Sequence, residues 1–296
     1  GVVDVREKPG HAVGLCLRKG QDRDWPSAAC HFRCRGTVRG GHAPGRQTDP
    51  RTLKQAYHHA LLAQQVVATT PNVGLRLMLD GVIDKYDSYE SVVDKAPETP
   101  IENRVDGVDM LYSSGTTGRP KGIKLGLSMS PLGTPTSLSA LCGMLFGIDK
   151  AATYLSPAPL YHAAPLRFTM TTHRLGGTAI IMEHFDPEEY LRLVQKHKVT
   201  HSQLVPTMFV RMLKLDDELR TKYDTSSLKC AIHAAAPCPI EVKKKMIGWW
   251  GPIIHEYYAG SEGNGFVYCN SEQWLAHPGT VGVAINATVH ICGDDG

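Results

Sequence analysis

The chain has 296 residues, 42% of them hydrophobic, which is enough for one large or two ordinary domains with a substantial core. Its formal net charge of +3 gives no reason to expect nucleic acid or an anionic membrane surface as the main partner. No run of about 18 uninterrupted apolar residues occurs, so we expect no helical membrane span, and without a basic-then-apolar leader we expect no signal peptide.

Residues 1–51 differ in character from the rest of the chain. The first fifty residues are rich in Arg, Gly, Cys, His and Pro and contain no Ile, Tyr or Met. Neither helical nor strand periodicity persists there for more than a few residues, so little apolar surface could be buried. The same bias is typical of GC-rich DNA translated in the wrong frame. We expect this segment to be disordered or frame-shifted, and the coding DNA would distinguish the two.

From Thr52 onward, strand-like and helix-like segments alternate. The predicted helices are "TLKQAYHHALLAQQVVAT", "DPEEYLRLVQKHKVT", a segment around Thr207–Leu213 and "PIEVKKKMIGWW". The predicted strands are "VGLRLMLDG", "VDMLYSS", "GIKL", "TAIIMEHF", "THSQLV", "LKCAIHAAA" and "PIIHEYYAG". Alternation of this kind predicts an α/β protein with layered sheets flanked by helices.

Two of the predicted helices carry more specific expectations. In "DPEEYLRLVQKHKVT", Asp186 suits the N-cap, Pro187 the first helical position and Glu189 the reciprocal capping carboxylate. In "PIEVKKKMIGWW", the run Lys243 to Lys245 is expected to form a solvated helix face.

The eight cysteines are scattered, and Cys230, Cys269 and Cys292 lie within apolar, strand-like runs. Buried free thiols in a reducing compartment explain this better than a disulfide framework does. We therefore expect a cytoplasmic protein.

The stretch "MLYSSGTTGRPKGIKL", from Met110 to Leu125, gathers hydroxyls, glycines and cations between two short apolar runs. It is not a Walker-type P-loop, because Pro120 precedes Lys121 and Gly122 follows it, where that motif needs Lys-Ser or Lys-Thr opening a helix. Its composition still suits a polyphosphate cradle, since glycines let backbone amides approach an anion and hydroxyls donate to oxygens. A mobile surface turn would have the same composition, so composition alone leaves both interpretations open.

The string "YSSGTTGRPKG" resembles the signature loop of the adenylate-forming superfamily, which includes acyl-CoA synthetases, luciferases and the adenylation domains of peptide synthetases. Further segments follow in the family's order. "LSPAPLYHAAP" resembles the acyl-binding segment, "IHAAAPCP" the small-residue strand beside adenine, "EYYAGSEGNG" the motif usually written Tyr-Gly-x-Thr-Glu, and "HPGTVGVAI" the segment after it. The resemblance covers about residues 52–296 and implies an incomplete large N-terminal domain with mixed and parallel sheets.

The resemblance also implies roles for individual residues. The implied ATP-binding residues are Ser113, Ser114, Gly115, Thr116, Thr117, Gly118, Lys121, Ala235, Ala236, Pro237, Tyr258 and Ser261. Glu262 would bind Mg²⁺, a cation that prefers carboxylate and phosphate oxygens. The implied catalytic residues, which act on the phosphates, are Thr116, Lys121, Ser261 and Glu262. The implied acyl-substrate residues are Tyr161, His162, His233 and Gly260.

By the same resemblance, the family activity is ATP-dependent conversion of a carboxylic acid to an acyl-adenylate, followed by transfer to CoA. Amino-acid-activating domains generally carry Phe-Asp in the acyl segment, where this chain has "LYHAAP". No buried anion for a substrate ammonium group is therefore evident, which favours a fatty or other apolar acid.

Taken alone, several of these residues have simpler explanations: His162 as a hydrogen-bonded structural residue, Glu262 as a solvated carboxylate and Tyr258 as a core residue. The ribose-binding aspartate, hinge and small C-terminal domain of the family do not follow "VHICGDDG", so we expect impaired ligase activity. A non-catalytic degenerate relative with at most weak nucleotide binding is the alternative. An unrelated nucleotide hydrolase is disfavoured by Pro120 and Gly122.

Overall fold

The computed structural model describes residues 2–5, 50–79, 82–100, 102–113, 121–290 and 292. Residues 6–49, which make up most of the segment predicted to be disordered or frame-shifted, lie outside the described residues. Val2–Val5, at the start of that segment, form a strand. The described residues divide into two compact units, one holding residues 50–105 and the other holding that strand and residues from 106 onward.

The smaller unit begins with the helix predicted from its apolar pattern. Its elements are α1 (Pro50–Thr69), β2 (Leu77–Met78), β3 (Asp87–Ser88) and α2 (Tyr89–Asp94), numbered after the strand β1 (Val2–Val5). β2 and β3 pair in parallel. Among the described residues of the predicted strand "VGLRLMLDG", only Leu77 and Met78 form a strand, and Asp80 and Gly81 lie outside the described residues. The Tyr86 hydroxyl, which belongs to no helix or strand, donates to the Ala63 carbonyl at 2.9 Å.

The larger unit contains the alternating elements. In chain order they are β4 (Leu111–Ser113), β5 (Lys121–Ile123), α3 (Ser137–Phe146), β6 (Thr153–Ser156), α4 (Ala163–Arg174), β7 (Thr178–Met182), α5 (Pro187–His197), β8 (His201–Leu204), α6 (Pro206–Leu213), α7 (Asp217–Lys222), β9 (Cys230–His233), α8 (Ile240–Trp250), β10 (Ile254–Ala259), β11 (Phe266–Cys269), α9 (Ser271–Ala276) and β12 (Val283–Ala284).

These strands confirm the predicted mixed α/β architecture. Eight strands form one sheet in the order β1-β7-β6-β8-β9-β10-β11-β12, and β4 pairs with β5 in a separate hairpin. The central strands β7, β6, β8, β9 and β10 are parallel, whereas β1, β11 and β12 pair antiparallel at the two ends. Crossover helices between parallel strands cover a sheet on both faces, which explains why β8 and β9 are buried throughout.

Neighbouring residues of a strand alternate between two hydrophobic clusters, one on each face of the sheet. Tyr154 and Ile232 belong to the cluster that includes Phe146 of α3 and Phe168 of α4. Leu155 and Ala231, their neighbours along the chain, belong to the cluster contributed by α5, α6 and α8. This division follows from the two-residue period of a strand and makes the unit a three-layer α/β/α structure.

The expected N-terminus of α5 is confirmed in part. The Asp186 carboxylate accepts a hydrogen bond from the Glu189 amide at 2.9 Å, and Pro187 occupies the first turn. The prediction that the Glu189 carboxylate caps in return is wrong, because both of its oxygens accept from Arg192 at 2.6 Å. A guanidinium one turn ahead offers a bidentate partner that the backbone cannot match.

The expectation for the lysine run in α8 is wrong at one position. Lys244 and Lys245 are exposed, but Lys243 is fully buried. Its ammonium donates to Glu256 of β10 at 2.5 Å and lies 4.8 Å from the centre of the Trp274 ring. Lys243 shares the inward face of α8 with the buried residues Met246 and Ile247, at the three- and four-residue spacing of a helix.

The cysteine prediction holds for two of its three residues: Cys230 and Cys269 are buried free thiols, whereas Cys292 is exposed. Cys292 lies outside the strands, in contrast to the prediction that it belongs to a strand-like run. Within the described ranges, no helix is both long and apolar enough to cross a membrane.

Candidate active site

The predicted phosphate-binding loop is bracketed by the hairpin of β4 and β5. Ser113 pairs with Lys121 across this hairpin, and the Lys121 side chain is exposed. A Cβ atom at Gly122 would lie 2.9 Å from the terminal methyl of Met110 and 3.2 Å from the Tyr112 ring, so these two side chains would have to shift to admit a larger residue. Ser114, Gly115, Thr116, Thr117 and Gly118 lie outside the described residues, and their roles remain predictions.

A tight turn after β10 carries the second predicted motif. The Gly263 amide donates to the Gly260 carbonyl at 3.1 Å, and a Cβ atom at Gly260 would lie 2.6 Å from the side-chain oxygen of Asn264. Glu262 is exposed, and Tyr258 is 68% exposed, which excludes a core role for that tyrosine. The turn therefore presents a carboxylate to solvent, and the end of β10 presents a phenol ring.

Three predicted segments follow the carboxyl ends of neighbouring parallel strands. The acyl segment follows β6, the small-residue segment follows β9, and the turn with Glu262 follows β10. Because the carboxyl ends of parallel strands meet at one edge of a sheet, these segments share an edge. Ala235, Ala236 and Pro237 are exposed there, and Ala235 has a positive φ of 77°, a backbone conformation that L-residues rarely adopt.

Arg167 of α4 connects this edge to the hairpin. Its Nε donates to the Asp109 carboxylate at 3.0 Å, and Asp109 lies just before β4. Both of its terminal nitrogens are 3.5 Å from the Ser261 carbonyl oxygen. One guanidinium thus contacts the start of the hairpin and the turn that carries Glu262. Sequence reasoning missed Arg167 and Asp109, because no motif contains them.

The predicted acyl-substrate residues do not all face the same surroundings. Tyr161 is 78% exposed, and its ring centre lies 4.5 Å from that of His162, which is also exposed at the N-cap of α4. His233, by contrast, is fully buried against Phe209. In this structure the His233 ring faces the core, so a ligand at the sheet edge could reach only its backbone.

Burial also determines the charge state of His233. Loss of hydration lowers its pKa to about 3, with repulsion from Lys243 as the smaller cause. Its Nε2 lies 3.4 Å from Glu256, but among the described residues neither ring nitrogen has a well-aligned hydrogen-bond partner. We treat this imidazole as neutral, so its contact with Glu256 is not an ion pair.

A small cavity of about 220 Å³ adjoins the turn. It is lined by Tyr258, Ala259, Gly260, Asn264, Gly265, Phe266, Val267, Ala287 and Val289. A larger groove of about 740 Å³ lies among α6, α7 and α8. Of the predicted site residues that the structure describes, none lines the larger groove, so the smaller cavity is the one associated with the motifs.

Glu262 is the candidate magnesium ligand. Within the described part of the chain, no group of three or more His, Cys, Asp or Glu side chains could hold a metal ion. Mg²⁺ is commonly bound by one or two carboxylates together with substrate phosphates and water. An exposed carboxylate on a turn fits that mode, in which nucleotide and metal would bind together.

Comparison with known proteins identifies the family. Residues 46–296 match the family model described as "AMP-binding enzyme". The long-chain-fatty-acid–CoA ligase of Bacillus subtilis (strain 168) is 31% identical over 172 residues, which cover 58% of this chain and 30% of the relative. The peroxisomal benzoate–CoA ligase of Arabidopsis thaliana is 28% identical over 202 residues, covering 64% and 33%.

Solved structures are similar in fold. The o-succinylbenzoate CoA synthetase MenE of Bacillus subtilis, in complex with its acyl-adenylate intermediate, has a TM-score of 0.59 at 21% identity and covers 77% of this chain and 47% of that one. The chain spans about a third of the length of the curated relatives it matches. The family match over residues 46–296 shows that the chain belongs to the AMP-binding enzyme family.

Proposed function

We propose that the carboxyl edge of the sheet binds ATP with Mg²⁺ and a carboxylic acid, and that the site activates the acid as an acyl-adenylate for transfer to CoA. The observation that carries the proposal is the position of Arg167, which contacts both Asp109 before β4 and Ser261 in the turn. Because Arg167 links these two segments, we infer that the phosphate-binding loop and the Glu262 carboxylate act on the same bound nucleotide.

In the proposed reaction, a carboxylate oxygen of the acid attacks the α-phosphorus of ATP, and the bond to the bridging oxygen breaks to release pyrophosphate. A thiol then attacks the acyl carbonyl and AMP leaves. Both steps bring anions together, so positioning and charge neutralisation supply much of the rate. Thr116, Thr117 and Lys121 would hold the β- and γ-phosphates, and the Ser261 hydroxyl would donate to the α-phosphate. Glu262 would hold Mg²⁺, which neutralises phosphate charge.

We infer that the acid is fatty or otherwise apolar. The exposed pair of Tyr161 and His162 offers an aromatic surface beside the sheet edge, and the acyl segment "LYHAAP" carries no carboxylate for a substrate amine. Relatives named for long-chain fatty acids and for benzoate support an apolar acid without choosing between chain and ring. The free thiols Cys230 and Cys269 support a reducing compartment such as the cytoplasm.

Equilibrium binding of ATP to this chain, with and without Mg²⁺, tests the proposal. We expect Lys121→Ala to weaken ATP binding about tenfold, because a charge-assisted contact to phosphate is lost. Lys124→Ala is the matched control, since Lys124 is also exposed and lies just past β5. Equal effects of the two variants, or no saturable ATP binding by the unaltered chain, would contradict the proposed function.

Exchange of pyrophosphate into ATP separates the proposal from its alternatives. We expect exchange that depends on an added fatty or aromatic carboxylic acid. Nucleotide binding without any acid-dependent exchange would favour the non-catalytic relative. Release of phosphate in the absence of acid would instead indicate a nucleotide hydrolase.

A further inference from the structure

We propose that Arg167 is a positioning residue that holds the turn with Ser261 and Glu262 in register with the strand leading into the phosphate-binding loop. The proposal rests on the proposed function, because the turn is taken to supply the magnesium ligand. In this proposal, α4 not only packs against the sheet but also fixes the position of the turn.

The contact with Asp109 fixes one side of the guanidinium. The Nε–Oδ2 distance is 3.0 Å, and the two side chains are only 21% and 16% exposed. A partly shielded ion pair of this geometry is held more firmly than a surface pair. Because β4 begins just after Asp109 and runs into the loop, a rigid Arg167–Asp109 pair ties the guanidinium to the position of that strand.

The contact with Ser261 is made by the two terminal nitrogens of the Arg167 guanidinium. Both terminal nitrogens approach the same carbonyl oxygen at 3.5 Å, the long limit of a hydrogen bond. A planar fork bonds to a carboxylate through Nε and presents its two terminal nitrogens to a carbonyl on the other side, whereas the three donors of a lysine ammonium all lie on one nitrogen and cannot occupy both positions.

Aromatic packing keeps this part of α4 next to β10. Phe168 has its ring centre 6.3 Å from that of Tyr154 and 6.0 Å from that of Tyr257. Tyr257 in turn stacks on Phe266 at 5.0 Å. The backbone of Arg167 is therefore held beside β10, the strand that ends at the turn. The Arg167 side chain thus reaches Ser261 from a fixed position.

The same helix provides a matched comparison in Arg174. This second arginine pairs with Asp106 at 2.8 Å, and it also donates to a backbone carbonyl, that of Thr134, at 2.9 Å. The pair lowers the pKa of Asp106 through its hydrogen bonds. Arg174 thus makes the same kinds of contact as Arg167, but to residues 106 and 134 and not to the turn.

The experiment compares Arg167→Gln with Arg174→Gln in this chain, using MgATP and metal-free ATP as probes. The quantity compared is the ratio of the affinity for MgATP to the affinity for metal-free ATP. We expect Arg167→Gln to lower this ratio about tenfold, and Arg174→Gln to change it less than about twofold. Arg167→Lys is expected to resemble Arg167→Gln, because it keeps the charge but loses the fork. Thermal unfolding of each variant controls for loss of stability.

A double-mutant cycle with Glu262→Gln tests whether the effect passes through Glu262. In the Glu262→Gln background, Arg167→Gln is expected to add less than about a twofold loss of MgATP affinity. Additive losses, or equal losses with and without Mg²⁺, would overturn the positioning role.

Amide hydrogen exchange gives a readout that does not depend on nucleotide. Arg167→Gln is expected to speed exchange at the amides of residues 260–265, and Arg174→Gln is not. Unchanged exchange in Arg167→Gln overturns this inference even if ATP binds. Failure of the unaltered chain to bind ATP overturns the proposed function, whatever the exchange result.

Discussion

Replacing Lys243 with methionine is expected to lower the free energy of unfolding by about 3–5 kcal/mol, because the change leaves a buried carboxylate without its cation. The two side chains are 0% and 7% exposed, and Nζ lies 2.5 Å from Oε2 of Glu256. The variant also loses the contact between the ammonium and the Trp274 ring. Chemical denaturation monitored by tryptophan fluorescence measures the loss.

Two further variants make this expectation specific. Lys244→Met, at the exposed neighbouring position, is expected to change stability by less than about 0.5 kcal/mol. The double variant Lys243→Met/Glu256→Leu is expected to recover most of the loss, because apolar side chains of similar volume can replace a buried ion pair at little cost. A double variant less stable than Lys243→Met alone would show that the carboxylate has another partner.

Lys243 also illustrates what local sequence can and cannot predict. A run of three lysines is typical of a solvated face, and that expectation holds for Lys244 and Lys245. The helical spacing indicated the opposite for Lys243. Met246 and Ile247 follow it by three and four residues, which places all three side chains on the same face of the helix. Glu256, inside the predicted strand "PIIHEYYAG", was the second signal, because a carboxylate buried in a strand needs a cation or hydrogen-bond partner.

Most of the parallel core could be predicted, because its helices have a clear period and its short strands alternate with them along the chain. The segments around β7, α5, β8 and α6 match the predicted ones to within a few residues. Helices α3 and α4 were not predicted: threonines and a proline in "AAPLRFTMTTHR" obscure the helical pattern. Tertiary contacts decide such segments, as with Phe168 of α4, which packs between Tyr154 and Tyr257.

The candidate site was predictable only as an ordered set of motifs. Their order along the chain predicted Lys121, Tyr258 and Glu262 as site residues, and the parallel strands bring three of the motif segments to one edge. The bridge through Arg167 was not predictable, because its contacts join residues distant in sequence. The burial of His233 was equally hidden, since a histidine ending a strand can face either the core or the ligand.

Acidification from about pH 6.5 to about pH 4 is expected to destabilise the fold by several kcal/mol, because buried histidines resist protonation. Burial lowers the pKa of His233 to about 3 and that of His255 to about 4, and it lowers the pKa values of His173 and His201 as well. In the unfolded chain these groups bind protons near pH 6.5, so the unfolded state binds more protons throughout this window.

The histidines contribute full stability above about pH 6.5, and that stability is lost as the pH falls toward their folded-state pKa values. Within the window, His233 lowers the free energy of unfolding by up to about 1.4 kcal/mol per pH unit, because its folded-state pKa of about 3 lies below the window. Urea denaturation at a series of pH values measures the slope, and His233→Leu is expected to reduce it by about one histidine's share. Phe209→Leu removes part of the ring that His233 packs against without removing a titrating group, so it should lower stability and leave the slope unchanged. An unaltered slope in His233→Leu would mean that this imidazole is already protonated in the folded protein, in which case its contact with Glu256 would be an ion pair after all.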